Sequence, residues 1–313
     1  MKLLSELRRR ARTAKWWALH STHWPVAQLA FAVIGFLRML GPERASALGG
    51  AVARAIGRFV PTNRTGLANL AAAFPDMSEA ERRRILGAVW ENLGRTAAEY
   101  AVVDKLWDFD PDNPNSGRIQ VRDVDIARFL KLRDDGKPAI IFTAHLANWE
   151  ILPICAAKYG LAVTALYRPP NNRFVARKIL QLRADSMGGL IPSGRAASLA
   201  MAAVLERGEH LGLLVDQHLG QGLPVPFFGR PARTNTALAK LARRYDCPVH
   251  GARVIRLPGN QFRVELTDEL QLPRDATGQV DVAGATALVT EVVEGWVREH
   301  PEQWLWLHRR WRA

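Results

Sequence analysis

Between residues 119 and 266 the chain alternates short apolar runs with longer amphipathic stretches, and this alternation restricts the fold more than any other feature. Runs at 119–121, 139–143, 162–166, 211–215, 249–255 and 262–266 have the length of buried strands. Helical stretches at 123–132, 150–159, 173–187, 196–207 and 236–245 separate several of them. Strands apolar on both faces need cover on both faces, so the pattern predicts an α/β fold with a largely parallel sheet flanked by helices. Pro258-Gly259-Asn260 joins the last two runs as a hairpin, which makes the sheet mixed. A last helix is expected from Asp281 to His300, followed by a tryptophan-rich basic tail from Pro301.

Upstream, residues 41–105 read as helical. Gly49 and Gly50 interrupt an alanine-rich pattern, and Pro61-Thr62-Asn63 breaks it. Ser78 with Glu81 three residues on forms a capping-box pattern, and 108–116 is a loop. The first 45 residues differ in character. Lys2, Arg8, Arg9, Arg10, Arg12 and Lys15 precede Trp16, Trp17 and Trp24, then an apolar run over 25–37. That run falls short of the roughly 20 residues of a clean membrane span. Gln28 and Arg38 interrupt or bound it, and no small-residue cleavage site follows. The combination predicts a helical segment lying on or dipping into the cytoplasmic leaflet of a membrane, against the competing reading of a helix packed on the body. The expected division is therefore a membrane-associating segment over 1–45 and a main body over 46–313, the body comprising a helical part (46–105) and an α/β part (117–313).

Lysine and arginine outnumber aspartate and glutamate 43 to 30, a net charge of +13. Such a surface attracts nucleic acid, anionic lipid headgroups or an acidic carrier protein. The positive residues are dispersed and no DNA- or RNA-binding motif occurs, so no nucleic-acid partner is expected. Cys155 and Cys247 show neither metal nor redox spacing and read as thiols in a reducing compartment. His20, His23, His210, His218, His250 and His300 lack metal-ligand spacing, and neither a P-loop nor a Gly-x-Gly-x-x-Gly motif is present. No metal and no cofactor are expected.

The chemistry points to Ile140-Ile141-Phe142-Thr143-Ala144-His145-Leu146-Ala147-Asn148-Trp149-Glu150. An apolar strand delivers His145, and an acid follows five positions later. Positions five apart on one helix lie about 140° apart, so the pair works only if His145 ends the strand and Asn148 caps the next helix. Glu150 then sits in the first turn, where it can hydrogen-bond the imidazole and make it a general base. Gly-x-Ser-x-Gly is absent, so no serine elbow competes for the role. Arg168 follows one strand; Asp216 and Gln217 follow another. All three fall at the carboxyl edge, where open α/β sheets bind ligands. Asp216 is expected to hydrogen-bond a sugar or to hold Arg168. Phe227-Phe228-Gly229 is either acyl-chain lining or core. Trp304 and Trp306 are expected to pack, and Arg309 and Arg310 to contact an anion.

The His-x4-acid unit resembles that of the glycerolipid acyltransferase superfamily, and His-Leu-Ala-Asn-Trp-Glu resembles the branch that adds secondary acyl chains in lipid A biosynthesis. Further blocks are similar to that branch in order along nearly the whole chain: 64–75, Tyr167-Arg168-Pro169 with Asn172, Asp216-Gln217 with Val225-Pro226-Phe227-Phe228-Gly229, and 301–311. The resemblance implies a glycerolipid acyltransferase-like fold and transfer of a fatty acyl chain to a hydroxyl of a Kdo-bearing lipid A precursor, with an acyl-carrier-protein thioester as donor. It implies His145 and Glu150 as catalytic residues. Asn148, Arg168, Arg183, Asp216, Gln217, Arg309 and Arg310 are the expected substrate contacts; for Arg183, and for Arg168 on a phosphate or the thioester oxygen, the expectation comes from the resemblance. It implies a glycolipid acceptor and a location at the cytoplasmic face of the cell inner membrane. An enzyme of the same superfamily acting on another glycolipid, a mannoside or a lysophospholipid is the alternative, with a nucleic-acid-binding protein or a membrane scaffold behind it.

Overall fold

A computed structural model describes residues 2–311 other than 115, 185, 186 and 195, leaving aside the side chains of 2–21 and 184. The basic cluster from Lys2 to Lys15, with Trp16 and Trp17, lies outside the described side chains. The chain opens with α1 (Lys2–Gly57), α2 (Thr62–Ala73) and α3 (Glu79–Glu99). The alternating part follows as β1 (Ile119–Val121), α4 (Asp123–Asp134), β2 (Ile140–Thr143), α5 (Ile151–Lys158), β3 (Val163–Tyr167), α6 (Arg173–Ala184) and β4 (Gly189–Pro192). It continues through α7 (Ala197–Glu206), β5 (His210–Leu214), β6 (His218–Phe227), β7 (Arg230–Thr234), α8 (Ala237–Tyr245), β8 (Val249–Leu257) and β9 (Gln261–Leu266), and closes with α9 (Val282–Glu299).

Among the described residues, seven strands form one sheet in the order β1-β9-β8-β2-β5-β3-β4. The β8–β9 hairpin is antiparallel and the other pairs are parallel, which is the mixed, largely parallel sheet that the sequence predicts. Ile140 and Phe142 in β2 are fully buried because helices cover both faces. Capping chemistry sets the helix starts. Ser78 Oγ accepts from the Glu81 N–H at 3.2 Å, and Asp281 accepts from the N–H groups of Ala283 and Gly284. The apolar periodicity does not reveal β4 or the separate β6–β7 hairpin, since Gly220, Gly222, Pro224 and Pro226 erase strand alternation in β6.

Gly49 and Gly50 do not break α1. A Cβ at Gly49 would come within 2.5 Å of the Gly94 carbonyl oxygen, so the glycines let α1 and α3 cross at close range. The interruption falls instead at Gly41, whose φ of 76° is followed by Pro42. Thr22–Gly57 is long and apolar enough to cross a membrane by length and composition. Its inner face is tied to the body at both ends of the first segment. Asn172 Nδ2 donates to the His23 carbonyl at 2.8 Å, and Arg38 donates to Asp104 at 2.7 and 2.9 Å and to the Ala101 carbonyl at 2.8 Å. Trp24, Leu29, Val33, Phe36 and Met39 face outward and are exposed.

The C-terminal tail closes the core. Trp304 and Trp306 are buried with ring centroids 4.7 Å apart, and both pack on the Phe227-Phe228 pair. Phe227 and Phe228 are therefore core, and the acyl-lining alternative for them falls. They sit under an aromatic lid away from the cavity described below.

Candidate active site

Strand register builds the site. Thr143 of β2 pairs with Leu214 of β5 in parallel, so residues two positions beyond each, His145 and Asp216, emerge side by side at the carboxyl edge of the sheet. Asp216 Oδ1 lies 2.8 Å from His145 Nδ1. Asp216 Oδ2 accepts from the His145 backbone N–H and from the Trp304 indole N–H, each at 2.8 Å. Burial opposes ionisation of Asp216, but the His145 imidazole and N–H together with Trp304 outweigh it and hold the carboxyl down at about 2. With Nδ1–H given to Asp216, His145 Nε2 presents its lone pair, 3.2 Å from the Gln217 amide nitrogen that can donate to it. Trp149 packs edge-on against the imidazole at 4.8 Å.

This arrangement corrects the expectation for Glu150. The carboxylate that orients His145 is Asp216, and Glu150 pairs instead with Arg183. The Arg183 guanidinium stands over the rings of Tyr100 and Tyr167 at 5.4 and 5.6 Å. Burial pushes the Glu150 carboxyl above its ordinary range, with Arg183 pulling the other way. The physical reason is the shape of the turn. Helix α5 begins only at Ile151, and Ala147 takes a left-handed φ of 46°, so the Glu150 carboxylate meets Arg183 rather than an imidazole nitrogen. A non-glycine residue there costs about 1–3 kcal/mol.

Other expected contacts sort by where the side chains sit. Asp216 meets neither Arg168 nor solvent, being 4% exposed and held by His145. Asn148 is buried and turned from the cavity: its Oδ1 accepts from the Glu150 N–H at 3.2 Å and its Nδ2 donates to Glu99 at 2.8 Å. Arg310 is 1% exposed, donates to Thr234 Oγ1 and the Arg233 carbonyl, and lies over Phe227, so it anchors the tail rather than meeting an external anion. Arg309 is exposed on the surface. Arg168, Arg183 and Gln217 line the same cavity as His145 and Glu150.

That cavity has a volume of ≈ 790 Å³ and lies between the sheet and helices α4 and α5. Thr143, His145 and Gln217 stand at its mouth, Ile141 and Gly212 halfway down, and Val163, Leu161 and Leu132 toward the strand starts. From the level of Thr143 to that of Ala139 the depth is about 13 Å, at roughly 3.3 Å per strand residue. Absent side chains supply the room. A Cβ at Gly212 would already touch Val163 Cγ1 at 3.2 Å and Ala165 Cβ at 3.6 Å. The result is a deep apolar slot with the His145–Asp216 pair at the end nearest the carboxyl edge of the sheet.

Residues 13–313 match the family of bacterial lipid A biosynthesis acyltransferases. The chain belongs to that family. It is an O-acyltransferase, in agreement with its relatives. The acyltransferase is 25% identical over 256 residues to the lipid A biosynthesis palmitoleoyltransferase of Escherichia coli (strain K12), covering 78% of this chain and 77% of that protein. It is 26% identical over 252 residues to the lipid A biosynthesis lauroyltransferase of the same organism, with the same shares covered. A lipid A biosynthesis acyltransferase of Shigella flexneri is 25% identical over 256 residues, again at 78% and 77%.

Proposed function

We propose that the enzyme transfers a long fatty acyl chain from an acyl-carrier-protein thioester to a hydroxyl of a Kdo-bearing lipid A precursor at the cytoplasmic face of the inner membrane. The observation that carries this reading is the apolar slot opening on the His145–Asp216 pair. The acyl chain occupies the slot and the thioester carbonyl rests at its mouth. His145 Nε2 takes the proton from the acceptor hydroxyl, and Asp216 stabilises the imidazolium as it forms. The oxygen attacks the carbonyl, the C–S bond breaks, and the imidazolium proton goes to the departing thiolate. The ester and the free thiol balance the reaction without an acyl-enzyme.

Arg168, exposed at the mouth, suits a phosphate of the acceptor. The buried Arg183–Glu150 pair, braced by Tyr100 and Tyr167, holds the wall beside the imidazole. The net charge of +13 favours an acidic carrier protein as donor. The outward apolar face of α1 seats the enzyme on the leaflet that holds the acceptor.

The test is donor and acceptor selection by the purified enzyme. Gly212→Leu fills the slot halfway down and is expected to lower kcat/KM for long-chain thioesters at least ~10-fold relative to short ones, since each methylene in an apolar pocket is worth about 1–3 kcal/mol. An unchanged chain-length preference in G212L would remove the acyl chain from this cavity. Transfer to lysophospholipid or a mannoside in preference to the lipid A precursor would replace the acceptor named above.

A further inference from the structure

The turn between His145 and Glu150 has to be imposed on the chain, because Ala147 sits in a left-handed conformation. Asn92, Thr96 and Glu99 impose it from one buried face of α3, at spacings of four and three residues. Thr96 Oγ1 donates to the Ala147 carbonyl at 2.9 Å, and Asn92 Nδ2 donates to the same oxygen at 3.4 Å. The Ala147 N–H donates to the Gln303 carbonyl at 3.0 Å. Glu99, fully buried, accepts from Asn148 Nδ2 at 2.8 Å, from Ser46 Oγ of α1 at 2.6 Å and from Arg256 at 2.5 and 2.9 Å. Arg256 also donates to Asn92 at 2.8 Å and to Thr96 at 3.3 Å, which locks the three α3 side chains into one unit.

We propose that Glu99 is a positioning residue for the reaction: through Asn148 it holds the turn that aims His145 Nε2 at the cavity mouth. A carboxylate is required because every neighbour is a donor, and four donors converge on two oxygens. Asn148 relays the hold in both directions along the turn. Its amide nitrogen is gripped by Glu99, while its oxygen takes the Glu150 N–H. Release of this grip lets the strained turn relax and moves the imidazole, and displacement of about 1 Å at a reacting group is enough to cost on the order of 10²-fold in rate. The consequence for catalysis rests on the acyl-transfer reading above; the hold on the turn does not.

Reciprocal exchange of the two partners tests the contact. Glu99→Gln sets an amide nitrogen against the Asn148 donor, and Asn148→Asp sets a carboxylate against Glu99. In the double variant E99Q/N148D the amide introduced on α3 donates to the carboxylate introduced in the turn, and the bond is restored with its direction reversed. Each single variant is expected to lower kcat by roughly 10–100-fold with KM for the thioester unchanged. Each should also speed amide hydrogen exchange over residues 146–150 by about 10-fold or more, while β2 keeps its protection. The double variant restores the bond to the turn but leaves Arg256 facing an amide, so it is expected to recover each readout by at least about 3-fold over the worse single variant without reaching wild type. Wild-type exchange in the single variants, or a double variant no better than the worse single, would overturn the proposal. If wild type itself transfers no acyl chain, the acyl-transfer reading fails and the exchange measurement alone decides the positioning role. If E99Q yields no folded protein, Asn148→Ala cuts the same contact from the other side, and normal exchange in N148A would be the contradicting result.

Discussion

Replacing His145 with alanine should reduce acyl transfer by about 10²–10⁴-fold, the span that a positioned general base contributes, while donor binding survives. The imidazole turns Nε2 toward the cavity mouth, where Gln217 is its neighbour at 3.2 Å, and its other nitrogen is already committed to Asp216. The imidazole is partly exposed at one end of a cavity whose walls are mostly other apolar side chains, so the loss is expected in kcat rather than in KM for the thioester. Steady-state kinetics with a long-chain thioester separate the two constants. A variant with normal kcat would show that the proton leaves by another route.

Asp216→Asn should be nearly as damaging, and it discriminates between the two carboxylates near the histidine. Asp216 accepts from His145 Nδ1, the His145 N–H and the Trp304 indole, and asparagine offers one acceptor oxygen where the carboxylate offers two. If the asparagine amide faces Nδ1, the imidazole carries its proton on Nε2 and the lone pair points away from the acceptor. The expected loss in kcat is about 10²–10⁴-fold, by the tautomer argument that applies to any His–Asp pair. Glu150→Gln leaves the imidazole's partners untouched and is expected to cost less. Asp216 also links stability to pH. Its carboxyl is held at about 2 against an ordinary 3.8, so the native state gains stability that is fully present above about pH 4. That gain disappears as pH falls toward 2. Unfolding measurements should therefore find wild type more stable than D216N near neutral pH, with the gap closing below about pH 4. A gap that stays constant to pH 2.5 would contradict the linkage.

Much of this architecture is visible in the chain before any coordinates. The strands carrying His145, Arg168 and Asp216 announce themselves as apolar runs, and each residue falls just past the end of its run, at the edge where ligands bind. What local spacing cannot supply is strand pairing. His145 and Asp216 are 71 residues apart, and only the β2–β5 register brings them together. The nearer acid, Glu150, is the natural sequence partner, but the left-handed Ala147 turns it toward Arg183. The spacing of Asn92, Thr96 and Glu99 marks a polar helix face that could have been read as buried. The signal is weak, because such a face is usually solvated. Arg310 is misread for the opposite reason: a basic residue beside tryptophans looks like a surface anion site, yet two β7 oxygens and the Phe227 ring hold it in the interior. The β6–β7 hairpin stays hidden because glycine and proline remove the alternation that reports a strand.

Intact-mass analysis of protein and acceptor from a single reaction mixture tests the central claim most directly. With a long-chain thioester and vesicles of lipid A precursor, wild type should add the mass of an ester-linked acyl chain to the acceptor while the protein gains none, and the H145A reaction should leave both masses unchanged. An acyl chain carried on the protein, or acceptor acylated as fast by H145A as by wild type, would contradict direct transfer by the His145–Asp216 base.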